Sequence, residues 1–142
     1  MATTAERGHR VLPGTAGCIV EAWAPSKPEC LAQAVRALVE AFADTSSVVT
    51  TETLTLVLPP APGDEQLSEL LEQVLELRAL LQVVPVDIAL AETEDGGLAG
   101  CVDVAALAVV QPTGAAPRGI TGAQLELDPH DGLWTARAVL AP

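Results

Sequence analysis

Apolar residues recur along this chain with two different periods, and the changes between them mark its elements. Cys18–Ala24 is apolar on both sides of a two-residue alternation, with Glu21 the exception, which predicts an interior strand. Ser26-Lys27-Pro28-Glu29 is a helix start, with Ser26 as cap, Pro28 in the first turn and Glu29 at the capping-box position. Leu31, Val35, Leu38 and Phe42 then fall on one helical face and Glu29, Gln33, Arg36 and Glu40 on the other. That spacing predicts an amphipathic helix over 28–43 with one side wet. Ser46–Leu58 is rich in Thr and Val, with Leu54, Leu56 and Leu58 on one face of a strand. Pro59-Pro60-Ala61-Pro62-Gly63 breaks it and leads stiffly into a second helix, Asp64–Leu81, whose stripe is Leu67, Leu70, Leu71, Val74 and Leu77. Arg78 falls on the extension of that stripe, so the packed part ends near Leu77. Val83–Glu92 and Leu98–Leu107 read as a hairpin across Asp95-Gly96-Gly97, and Ile120–Leu127 and Leu133–Leu140 as a second across Asp128–Gly132. Gln111–Arg118 reads as a Pro/Gly-rich loop, and Met1–Arg10 as a polar tail entering the first strand. Strand, helix, strand, helix and two hairpins make an α+β fold, two helices on one face of a mixed or antiparallel sheet. The length suits a single domain, 1–142, with 1–9 as a loose tail.

Composition narrows the function. Hydrophobic residues make up 49% of the 142, but aromatics only 2%, so the core must be aliphatic. The formal net charge is -12 with seven Lys and Arg, which repels phosphate backbones and argues against direct binding of nucleic acid. Cys18, Cys30 and Cys101 form no CxxC pair and read as small buried residues of a cytoplasmic protein. The first nine residues lack the apolar core of a signal peptide, and no apolar run is long enough for a membrane span.

Reactive groups are few. His130 sits in a turn between Pro129 and Asp131, and His9 precedes the first strand. Neither has a partner that would complete a nucleophile, base and orienter. Glu92–Asp95 lacks the closing glutamate of a calcium loop, and no phosphate-binding glycine motif occurs.

Gly8-His9-Arg10, Pro13, Thr15-Ala16 and Glu21-Ala22-Trp23-Ala24-Pro25 stand in the order and spacing of the archease family, small SHS2-type proteins. Glu29-Cys30-Leu31, Ala34-Val35-Arg36, Phe42-Ala43-Asp44, Leu70-Leu71, Val84-Pro85-Val86-Asp87, Pro117-Arg118 and Trp134–Leu140 extend the resemblance over nearly the whole chain. The resemblance implies an accessory protein, not an enzyme: an activator of a GTP-dependent RNA ligase used in tRNA splicing and RNA repair. It also implies a divalent-metal site, often holding calcium. Here the family's metal-site positions fall on inert residues. The His after Pro is Gly14, the Asp after Thr-Ala is Gly17, a later His is Ala123 and the near-terminal Asp is Ala141. Glycine and alanine supply no side-chain oxygen, so no metal is expected, and His9, Gly14, Thr15, Gly17, Ala123 and Ala141 would line what remains. Two readings follow. One is a partner of the RNA ligase with its metal-dependent activity lost. The other is an archease-fold module that binds another protein or a ligand.

Overall fold

The structure, a computed structural model, describes residues 7–14, 17–114 and 116–141, with the backbone alone at 14 and 121–124. The element order is β1 (Gly8–Gly14), β2 (Gly17–Ala24), α1 (Lys27–Glu40), β3 (Ala43–Asp44), β4 (Glu52–Leu58), α2 (Gly63–Glu76), β5 (Val83–Glu92), β6 (Leu98–Ala106), β7 (Gln111–Pro112), β8 (Gly119–His130) and β9 (Leu133–Ala141). All strand pairs are antiparallel. They form a four-stranded sheet of order β1-β2-β9-β8, a three-stranded sheet of order β4-β6-β5 and the short pair β3-β7. The α+β reading stands, with two helices and hairpins after them, and its sheet is divided in two.

The helices lie between the sheets. α1 packs on β1, β2 and β9 to one side and on β5 to the other, and α2 packs beside it and against β8 and β4. Small residues allow this close approach. Ala22, Ala24, Ala136 and Ala138 line the inner face of the larger sheet, and Cys30, Ala34 and Ala37 are buried on α1. The Cys30 thiol reaches the Ala22 carbonyl at 3.7 Å, and burial pushes its pKa up to about 12. Ser26 caps α1 as expected, its hydroxyl accepting from the Glu29 N–H at 3.3 Å and donating to the Glu29 carboxylate at 2.9 Å.

Several boundaries differ from the sequence reading. Gly8–Arg10 is not tail but part of β1, whose partner is β2 in an unbroken register from Gly8–Trp23 to Gly14–Gly17. α1 stops at Glu40, because Ala43-Asp44 leaves to pair with Gln111-Pro112, a segment expected to be loop. The strand expected from Ser46 begins at Glu52. Before it, Asp44 turns the chain by accepting from the Ser46 N–H and hydroxyl. The second hairpin turns more tightly than expected, on Asp131 (φ 50°) and Gly132 (φ 81°) alone. Cys101 is exposed, since on β6 it alternates with the buried Val102 and faces outward.

Gln66 on α2 is 1% exposed. Its amide N–H groups bond the carbonyls of Pro59 at 3.3 Å and Gly96 at 3.1 Å, so it ties the proline connection to the β5–β6 turn. Gln66→Leu is expected to lower stability by about 1–2 kcal/mol, read as a fall in the urea midpoint at unchanged slope.

Candidate functional site

The positions where the resemblance implies a metal site are located by strand register. Gly14 pairs with Gly17 at the turn end of the β1–β2 hairpin. Gly119 pairs with Ala141, one step beyond the Cys18–Leu140 pair. Gly17 shares a face of its strand with Glu21 and Trp23, and Ala141 with Arg137 and Thr135. All lie on the outer face of the larger sheet, opposite the face that carries buried Val20, Ala22 and Leu140. Gly14, Gly17, Ala141 and Gly119 therefore form one row with no side chain larger than a methyl group. Thr15 lies outside the described residues. Ala123 lies on β8 within the register shift between Thr121 and Glu126, so it is displaced from the row along the strand.

The row does not fit a divalent ion. It offers no carboxylate, and among the described residues no group of three or more His, Cys, Asp or Glu is placed to hold a metal. The nearest groove, about 380 Å³, has Glu69, Glu72 and Glu76 along α2 on one wall and Arg118 and Gly119 on the other. Gly17 also has φ 118°, a conformation that side chains rarely adopt, so an aspartate there would be strained on this backbone.

His9 is elsewhere. It sits on β1 five residues from Gly14, about 17 Å along an extended strand, and faces inward onto α1. Its Nδ1 is 2.7 Å from Gln33 Oε1 and its Nε2 is 2.5 Å from Glu40 Oε2. Both ring nitrogens are thus engaged by α1, and neither is free to serve as a base. No signal in the sequence joins His9 to residues 24 and 31 positions later. Nearby, Arg36 donates from Nη2 to Asp87 Oδ1 at 2.7 Å, joining α1 to β5 where the β5 register shifts. Arg7 pairs with Glu29. The α1 face expected to be wet is thus occupied: each of Glu29, Gln33, Arg36 and Glu40 has a partner on another segment. His9, Arg36, Glu40 and Asp87 line a cavity of about 190 Å³ between α1 and β5. It is braced by these pairs, and no hydroxyl or thiol hydrogen-bonds to His9 among the described residues.

The hydrogen bond from Arg36 holds the Asp87 carboxyl below the usual carboxylate range, with burial opposing it and the Ile88 N–H and the Arg36 charge adding to it. A depressed folded pKa gives stability that is complete above the unfolded value, about 3.9, and is lost as pH falls through the lower folded value. Asp87→Asn is therefore expected to flatten the acid limb of stability against pH below about 4, while leaving the shape of the curve above it unchanged.

Glu21, the exception in the β2 pattern, is explained on the outer face. It pairs with Arg10 at 2.6 Å and stands opposite Arg137, which stands opposite Glu126. Arg10 also lies 5.7 Å from the Trp23 ring centroid. Exposed pairs of this kind contribute about 1 kcal/mol at most. His130 is exposed at its turn, 3.4 Å from Asp131.

With this geometry in view, comparison with known proteins is decisive. Residues 9–140 match the model of the Archease protein family (MTH1598/TM1083). The chain belongs to the archease family. It is 31% identical over 133 residues to "Probable protein archease" of two Mycobacterium tuberculosis strains, a match that covers 94% of this chain and 74% of each relative. The solution structure of Methanobacterium thermoautotrophicum protein 1598 superposes with a TM-score of 0.70 at 20% identity, covering 95% of this chain and 99% of that one. A crystal structure from Thermotoga maritima, described as an archease, possible chaperone, superposes with a TM-score of 0.64 at 16% identity, covering 92% and 94%. No helix among the described residues is long and apolar enough to cross a membrane.

Proposed function

We propose that this archease acts on a protein partner, a GTP-dependent RNA ligase of the kind used in tRNA splicing and RNA repair, and does so without the divalent metal of its family. The reading is supported by one observation above others. The scaffold is retained from residue 9 to residue 140, while the row Gly14, Gly17, Ala141 and Gly119 offers no oxygen ligand beyond its backbone. A protein that keeps the fold and loses the ion can still bind its partner through the surface around the row, but it cannot place a metal in the partner's active site. It works in the cytoplasm, and RNA is engaged by the ligase rather than by this acidic chain.

The test is a guanylylation assay with the RNA ligase of the same organism, paired with a direct binding measurement. The expected result is a saturable complex and a ligase activity that responds to the archease equally with calcium and with a chelator. No complex, and no effect under any metal condition, would exclude the ligase as the partner. A calcium-dependent effect would exclude the metal-free reading.

A further inference from the structure

The second helix changes character after Glu76. Leu77–Leu81 forms a single π-helical turn, closed by Gln82 in the left-handed region at φ 56°. Such turns are rare and recur at functional sites. Gln82 in turn accepts from the Leu107 N–H through its carbonyl at 2.8 Å, which fixes the following wall. The turn carries Arg78 over the ring of Phe42, 5.6 Å from the centroid. Phe42 is itself held by its carbonyl, which accepts from the Thr113 N–H at 2.9 Å. Together these segments enclose a cavity of about 330 Å³, lined by Phe42, Arg78, Leu107, Val110, Pro112 and Gly114 among others. That size is at the low end of small-molecule sites.

The charge in this cavity is unmatched. None of the described residues lining it carries a carboxylate. Arg78 takes part in none of the ion pairs among the described residues, and its Nε is buried without a hydrogen-bond partner. Arg78 is the charged residue among those described as lining this cavity, and its neighbours there are apolar residues and a glycine. A buried donor without an acceptor is costly, and an ionised acceptor would relieve that cost most strongly.

We propose that this cavity is a binding site for a carboxylate with an apolar body, the carboxylate meeting Arg78 and the body lying against Phe42, Leu107 and Val110. The same chemistry is offered by a free aliphatic acid and by the C-terminus of a peptide that ends in an apolar residue.

Titration of the full chain with sodium octanoate, octanol, and a short leucine-terminated peptide as free acid and as amide tests it, followed by amide chemical shifts and calorimetry. Octanoate or the free-acid peptide is expected to saturate with Kd below about 1 mM, shifting the amides of Phe42, Leu107 and Val110. Octanol, the amidated peptide and Arg78→Met are each expected to weaken binding about tenfold or more, with Arg78→Lys falling between. Saturation by octanoate assigns the free acid, and saturation by the peptide alone assigns the C-terminus. The proposal is overturned if neither saturates at roughly 10 mM, if the shifts map elsewhere, or if the neutral ligands bind as well as the acids. Should Arg78→Met fail to fold, the comparison of acid with neutral ligand on the unaltered protein decides.

Discussion

Gly100→Ala is expected to lower the free energy of unfolding by about 3 kcal/mol, read from the urea midpoint, and to do so from a position that carries no side chain at all. Gly100 is in the middle of β6, opposite Leu56 on β4 and Leu90 on β5. A Cβ built there would stand 1.9 Å from the Ala89 carbonyl oxygen and 2.9 Å from both the Ala89 carbonyl carbon and Leu90 Cα. These are backbone atoms of the adjacent strand, so no side-chain rotation can make room. β6 would have to move away from β5, straining the ladder between them, and both strands carry core residues such as Ile88, Val102 and Val104. Gly119→Ala is the control. Nothing lies within 4 Å of its Cβ, and its effect is expected to stay within about 0.5 kcal/mol.

The second large effect is expected at Leu38. It is 0% exposed, on the α1 stripe with Leu31 and Val35. α1 touches both sheets and α2, so the space left by Leu38→Ala is bounded by several elements that cannot all close on it. A loss of about 3 kcal/mol is expected from the lost burial plus the residual cavity. For a domain whose whole stability is about 5–15 kcal/mol, that is a large share. Leu80→Ala removes the same atoms from a side chain 76% exposed and is expected to change stability by less than about 0.5 kcal/mol. Thermal unfolding of the pair separates burial from hydrophobicity alone.

Elements whose periodicity and punctuation agree were legible in the sequence. Val83–Glu92 is found at its expected bounds, and α1 begins at the Ser26 cap, because local chemistry sets both. β1 was not legible. Its inward residues are His9 and Val11, and His9 is accommodated there only because Gln33 and Glu40 meet its two nitrogens. An alternation that includes a histidine and a proline reads as tail until its distant partners are known. The polar face of α1 misled for the same reason, since Arg36 finds Asp87 51 residues away. At the candidate site, the β2–β9 register places Gly17 and Ala141 near each other at the sheet end. The separation of His9 from them depends on which face of β1 it occupies, and nothing local fixed that. Arg78 was visible as a break in the α2 stripe, but its contact with Phe42 depends on a π turn that no propensity encodes.

The larger sheet is assembled from segments far apart in the sequence. β2 spans residues 17–24 and its neighbour β9 spans 133–141, while the smaller sheet lies wholly within residues 52–106. During synthesis the smaller sheet and α2 can form early, but α1 cannot be covered on its β9 side until β9 has left the ribosome. Closing so long a loop is slow, because its entropy is lost before the contacts repay it. Until then the alanine-lined groove of α1 and β2 stays open to other chains. The final nine described residues therefore govern how quickly this protein becomes safe from aggregation, as well as forming one wall of its core.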